Sequence, residues 1–392
     1  MSNDRDNKGM NRREFLKAGV VGTTAAAIAS SPVAAAVQHY AEAGTFAFPK
    51  PVYRTLGRTG LKITVVSFGA MLTPEPEVLK IAFDNGVNYV DTARKYMGGK
   101  NEEIVAKALK GRRDKVYVAT KTLPSSQTKE DIIRDVETSL KTLETDHIDV
   151  IQLHNLTDKD RIFIADTREA LLKLKEQGKV RFFGVTTHKN QPEVLNALVD
   201  DKDRFFDTCL VAYNFESDKS INESIERAAQ AGVGIIAMKT QAGGYKTDTM
   251  GSISPHQAAL KWVLQNQHIT MSIPGMKDLS QLKENIAVMS MPFKAADARI
   301  LDRYHTAIAG FYCDLCGTCE GSCPRGVEIS TINRSLMYAE GYRNRELACS
   351  TYREVPLAAS ASACLDCPEC SASCVKGLNI SAKMRQARAM LG

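Results

Sequence analysis

Val116-Tyr117-Val118-Ala119-Thr120-Lys121 is an apolar, β-branched run that ends in a lysine, and Ile148-Asp149-Val150-Ile151-Gln152-Leu153-His154 is a second that ends in a histidine. Between them, residues 131–145 place Ile132, Ile133, Val136, Leu140 and Leu143 on one face of a helix. Strand, amphipathic helix, strand is the repeating unit of a parallel sheet, because parallel neighbours need a crossover long enough to hold a helix. Working outward, the same alternation predicts further strands at 63–68, 88–93, 180–187, 207–214, 232–239 and 271–274, and a clear helix at 220–231 that ends at Gly232. Eight such units close into a (β/α)8 TIM barrel. The competing doubly wound open sheet calls for Gly-x-Gly-x-x-Gly after its first strand, and Gly69-Ala70-Met71 does not supply it.

The 392 residues are 44% hydrophobic and 24% charged, the profile of a folded globular chain long enough for two units. Lys and Arg number 51 against 45 Asp and Glu, and the resulting +6 is too small to point to nucleic acid. Cysteine is distributed far less evenly. Cys313-x2-Cys316-x2-Cys319-x3-Cys323-Pro324 has the spacing of a bacterial ferredoxin run, and Cys364-x2-Cys367-x2-Cys370-x3-Cys374 repeats it. Paired runs predict two 4Fe-4S clusters in a small ferredoxin-like domain, the fourth cysteine of each run ligating the other cluster. Cys313, Cys316, Cys319 and Cys374 would hold one cluster, and Cys364, Cys367, Cys370 and Cys323 the other. A zinc module, built from separated pairs of ligands, fits this spacing poorly. Cys209, inside a predicted strand, reads as a small buried hydrophobe; Cys349 is left over. Between the runs, residues 332–342 read as helical.

In a TIM barrel the chemistry sits at the C-terminal ends of the strands. Asp91 closes the second predicted strand, Lys121 the third and His154 the fourth, with Tyr96 five residues beyond Asp91. One such residue would be an ordinary cap. Four that converge on one rim are a candidate catalytic set.

At this point the chain resembles the aldo-keto reductases. Tyr53-Arg54-Thr55-Leu56-Gly57-Arg58-Thr59-Gly60-Leu61 is similar to that family's opening segment, Val90-Asp91-Thr92-Ala93-Arg94-Lys95-Tyr96 to its second-strand motif, and Gly178-Lys179-Val180-Arg181-Phe182-Phe183-Gly184-Val185 to its fifth. The resemblance runs from about residue 51 to 291. It implies a hairpin across the barrel floor and hydride transfer between NADP(H) or NAD(H) and a small carbonyl or alcohol. Tyr96 would be the general acid, its phenol tuned by the Lys121 ammonium; Asp91 would hold Lys121 charged, and His154 would orient the carbonyl oxygen. The cofactor would be met by Gly69, Thr186, Thr187, Met238, Lys239, Lys277, Glu284 and Asn285. Thr186 and Thr187 replace the usual Ser-Asn pair, Leu210 the usual Gln, Met238 a stacking aromatic and Gln281 an Arg, which leaves the choice between NADPH and NADH open.

Ahead of all this, Asn11-Arg12-Arg13-Glu14-Phe15-Leu16-Lys17 precedes a soft apolar stretch at 18–36 and small-residue motifs at Ala34-Ala35-Ala36 and Ala41-Glu42-Ala43. This resembles a twin-arginine export signal and implies that export machinery as a partner, with a periplasmic or other extracytoplasmic destination. The expected organisation is a signal at 1–43, a barrel at 44–304 and an iron-sulfur domain at 305–392. Two functions follow from it: a carbonyl reductase, or an exported electron-transfer subunit that serves an external electron carrier and uses the barrel as scaffold.

Overall fold

In the computed structural model, which describes residues 48–248 and 250–392, the first element is a hairpin. Strand β1 (Tyr53–Thr55) pairs antiparallel with β2 (Lys62–Thr64), Tyr53 opposite Thr64. The export segment expected at 1–43 lies outside the described residues. The first barrel strand, β3, is Phe68–Gly69, so the strand expected at 63–68 is divided between hairpin and barrel. Ser67 makes the break: its hydroxyl donates to the Thr64 carbonyl at 2.8 Å and meets the Thr64 hydroxyl at 2.9 Å, turning the chain between the two strands.

The hairpin plugs the barrel from below. Leu56, Leu61 and Ile63 are buried in one cluster with Tyr89, Val150, Ile236 and Met271 from the strands. Gly57, at φ +48, lies so close to Gly234 that a Cβ there would stand 2.4 Å from its amide nitrogen.

From β3 onward the strands run in chain order, each parallel to the next: β4 (Tyr89–Asp91), β5 (Tyr117–Lys121), β6 (Ile148–Leu156), β7 (Val180–Thr187), β8 (Thr208–Ala212), β9 (Gly234–Met238) and β10 (Met271–Ser272). Parallel bridges from Val66 to Ser272 and from Gly69 to Gly275 join the first strand to the last, with the Ser272 amide donating to the Val65 carbonyl at 2.9 Å. The sheet is thus a closed barrel. A helix follows each strand: α1 (Pro76–Asp84), α2 (Asn101–Leu109), α3 (Lys129–Thr142), α4 (Ala165–Glu176), α5 (Gln191–Asp200), α6 (Ser220–Gln230), α7 (Pro255–Gln265) and α8 (Leu279–Ala287). Their starts are written in side chains: the Thr128 hydroxyl accepts from the Asp131 amide, and Ser254 and Gln257 form a capping box.

After α9 (Ala295–Ile308) come α10 (Thr318–Gly321), α11 (Ile329–Glu340), α12 (Arg345–Tyr352) and α13 (Ile380–Leu391), with Cys319 in α10 and the rest of the cysteine runs in the connections. No strand follows β10 among the described residues, so this part is helical where a ferredoxin-like fold was expected. The reason lies between the runs: Ile329, Ile332, Leu336 and Met337 recur at helical spacing and bury against Ile380 and Met384 on one side and Ala242, Tyr245, Tyr304 and Ile308 on the other. The C-terminal helices therefore share a core with the loops and helix at the barrel mouth. Ion pairs reinforce the seam, Lys95 with Glu354 at 2.5 Å, Lys376 with Glu216 at 3.3 Å, and Lys189 with Glu320.

Candidate active site

The C-terminal ends of the strands open into a cavity of about 820 Å³ roofed by α11 and α12. Asp91 and Lys121 are buried at the tips of β4 and β5. The Lys121 ammonium donates to Asp91 Oδ1 at 2.5 Å and to the Thr92 carbonyl at 2.7 Å, while Gln152 donates to Asp91 Oδ2 at 2.8 Å. Both carboxylate oxygens are thus satisfied, and the pair is locked in one geometry. Desolvation pulls the Lys121 ammonium below the usual lysine value, opposed by Asp91.

Tyr96 opens a short turn, Tyr96–Gly99, beyond β4 and faces the cavity. Lys121 Nζ lies over its ring, 4.8 Å from the centroid. Two of the three ammonium donors go to Asp91 and Thr92, and the charge stands against the phenol ring. Burial pushes the Tyr96 phenol well above its ordinary value, Asp91, Tyr338 and Tyr342 add to the push, and Arg334 opposes it. His154 packs edge-on against Tyr96, ring centroids 6.1 Å apart. Desolvation first, and then Lys121 and other cations, hold its imidazole well below the usual histidine value, so it is neutral. Its Nδ1 is buried with no hydrogen-bond partner.

Of the expected cofactor residues, Gly69, Met238 and Lys239 line the cavity. Gly69 is dictated by closure: a Cβ there would stand 2.5 Å from the Ile273 carbonyl oxygen. Lys239, at φ +59, donates to the Tyr338 hydroxyl at 3.0 Å and sits over the rings of Tyr338 and Tyr342. Thr186 and Thr187 are not brought to the cavity; their hydroxyls serve the backbone, Thr186 accepting from the Asn155 amide at 2.7 Å and Thr187 donating to the Leu156 carbonyl at 2.8 Å. Asn155 and His188 line it instead, joined through Asn155 Oδ1 and His188 Nδ1 at 3.0 Å. Lys277 and Glu284 stand around α8 away from the cavity wall, and Asn285 reaches it only through Gln241, whose amide donates to Asn285 Oδ1 at 2.8 Å. Arg334, Tyr338 and Tyr342 were beyond sequence reasoning: α11 comes from outside the barrel, and no local signal announces which helix will roof the site.

A second, small cavity is walled by Cys313, Cys316, Cys319 and Cys374 with Leu378 and Ile380. None of the ten cysteines forms a disulfide. The amides of Leu315 and Lys376 donate to the sulfurs of Cys313 and Cys374, each at 3.4 Å. Burial pushes the Cys313 thiol up to about 12, with Cys319 and Cys316 among its neighbours. Around the other group, burial and then Cys367, Cys323 and Cys370 push the Cys364 thiol up. The sulfurs gather as neighbours without forming a ready-made ligand set: among the described residues no three His, Cys, Asp or Glu side chains stand together at metal-binding distance. Asn333, on the wall of the first sulfur cavity, has both amide atoms buried and unpartnered. Cys209 is fully buried in β8, its thiol pushed up to about 12 by desolvation.

A closed parallel barrel with an Asp-Lys pair, a tyrosine and a neutral histidine at its C-terminal rim defines an α/β-barrel oxidoreductase. The chain belongs to the aldo/keto reductase family, whose model matches residues 75–252 and 249–305. An L-galactose dehydrogenase of Arabidopsis thaliana is 28% identical over 287 residues, covering 60% of this chain and 88% of that one. A methylglyoxal reductase of Escherichia coli (strain K12) is 26% identical over 251 residues, 60% and 86% of the two chains. A solved aldo-keto reductase from Klebsiella pneumoniae in complex with NADPH superposes with a TM-score of 0.55 at 25% identity, covering 64% of this chain and 95% of that one. The family match ends at residue 305, and both cysteine runs lie beyond it.

Proposed function

We propose that the protein reduces the carbonyl of a small substrate with NADP(H) or NAD(H), and in the reverse direction oxidises the corresponding alcohol. The observation that carries this reading is the convergence of Asp91, Tyr96 and His154 on one cavity, with Lys121 held behind them against Asp91 and the Tyr96 ring. The residues present fit a nicotinamide: Leu210 and Met238 offer an apolar wall, and the side-chain amides of Asn155 and Gln241 offer partners for a carboxamide. Bound there, a nicotinamide supplies the hydride. His154, neutral, holds the carbonyl oxygen through a hydrogen bond, and Tyr96, kept protonated by burial, donates its proton to that oxygen as negative charge develops. Lys121, fixed by Asp91, supplies positive charge beneath the phenol when it becomes phenolate. Running the reaction backward, the phenolate takes the alcohol proton.

The cysteines support two 4Fe-4S clusters, one on Cys313, Cys316, Cys319 and Cys374 and the other on Cys364, Cys367, Cys370 and Cys323. The amide-to-sulfur hydrogen bonds and the unpartnered Asn333 suit an electron-rich group in the first cavity. A cluster bound there supplies one-electron capacity or mechanical bracing. One observation favours a second reading, electron transfer to an external carrier: Cys316 and Cys370, one in each run, are exposed at the surface where a carrier could approach. The twin-arginine motif at Arg12 and Arg13 supports export to the periplasm with cofactors already loaded.

The deciding experiment is anaerobic purification of the mature protein, followed by assay for co-purified nicotinamide and for carbonyl-dependent NADPH or NADH oxidation. Turnover that Tyr96→Phe abolishes supports the reductase. A protein that takes electrons from dithionite, passes them to an acceptor and turns over no carbonyl is the electron-transfer subunit.

A further inference from the structure

We propose that Arg334, reaching over the barrel mouth from α11, is an anion-binding residue of the catalytic cavity, and that the substrate carries a carboxylate or phosphate besides its carbonyl. The proposal rests on the carbonyl-reductase reading and names the substrate class for the same site.

Arg334 lines the cavity with Tyr96, His154 and His188. Its Nε is buried without a hydrogen-bond partner, and among the described residues no carboxylate pairs with its guanidinium. Of the other cations on the wall, Lys95 is paired with Glu354 and Lys239 with the Tyr338 hydroxyl, while Lys100, Arg345 and Arg353 are exposed and keep their charges in solvent. The carboxylates are likewise committed, Asp91 to Lys121 and Gln152 and Glu354 to Lys95, while Glu346 is exposed. A guanidinium partly withdrawn from water with a buried, unmet donor is costly unless an anion completes it, and its planar fork matches carboxylate or phosphate oxygens. Its field acts on Tyr96, His154 and His188, which puts the charge above the reacting centre. The dinucleotide pyrophosphate is the competing anion, and the test separates the two.

The full mature protein is assayed with 4-oxobutanoate against butanal and with glyceraldehyde 3-phosphate against glyceraldehyde. In at least one pair the charged member is expected to have a kcat/KM at least about tenfold higher, the scale of one charge-assisted hydrogen bond, and the favoured pair identifies carboxylate or phosphate. In R334Q that preference collapses, and R334K restores part of it. Calorimetric binding of succinate and inorganic phosphate, which needs no turnover, should weaken by the same factor in R334Q. Equal rates within both pairs overturn the proposal, and this comparison needs only the unaltered protein should R334Q fail to fold. A variant that keeps its preference but loses NADPH affinity also overturns it, assigning Arg334 to the dinucleotide. If no aldehyde is turned over while succinate or phosphate binding still depends on Arg334, the anion site stands and the reductase reading falls.

Discussion

Tyr96 stands where burial keeps its phenol neutral, and that makes it a donor in reduction. Tyr96→Phe should lower carbonyl reduction by about 10²-fold or more while leaving the melting temperature close to its original value, read by steady-state kinetics and thermal denaturation. Lys121→Met is expected to cost both activity and stability, on the order of 3–5 kcal/mol in denaturant titration, because it leaves the Asp91 carboxylate buried without its cation. The two histidines that face the cavity give a pH signature. Desolvation leads in holding both His154 and His188 well below the usual value of about 6.5, so the folded state resists protons that the unfolded chain accepts. Stability is therefore complete above about pH 6.5 and falls as the pH drops below it, by about 1.4 kcal/mol per pH unit for each histidine. Replacing both with Gln should flatten that slope in titrations between about pH 5 and 7; an unchanged slope would show that neither is responsible.

Among the elements, the closure of β3 on β10 leaves no room for a side chain at Gly69. At Gly69 a side chain meets the Ile273 carbonyl, and Gly69→Ala should cost about 1–3 kcal/mol, seen as a lower denaturation midpoint, with Tyr96 chemistry impaired through the displaced rim. The strands from 88 to 214 were legible because near-continuous apolar runs bounded by polar residues have no other home. The first was misread because a serine turn at Ser67 leaves the apolar run from Ile63 to Phe68 nearly intact in sequence while breaking it in space. Asp91, Lys121 and His154 were legible as polar ends of apolar strands. Thr186 and Thr187 were placed by analogy with a pair of different residues, and the structure spends their hydroxyls on the neighbouring backbone. Arg334 belongs to a helix more than 200 residues beyond Tyr96, so only tertiary packing could reveal it.

Over the whole molecule the two cysteine groups and the barrel meet in one body. Anaerobically prepared protein should hold about eight irons, and Cys→Ser changes at Cys313 or Cys364 should each lower that number. Since a hydride carries two electrons and each cluster takes one, and no flavin motif is visible in the sequence, dithionite should bleach the cluster absorbance and NADPH alone should not. Bleaching by NADPH without a mediator would reveal a redox group the sequence does not announce.

Asn333 and Arg334 are consecutive residues of α11, the first on the wall of the sulfur cavity and the second on the wall of the catalytic one. Any roll of the helix that reseats one displaces the other. The two chambers are thereby geared together: whatever shifts α11 at the sulfur cavity also shifts the wall of the catalytic one. A single helix thus sets one wall of each chamber.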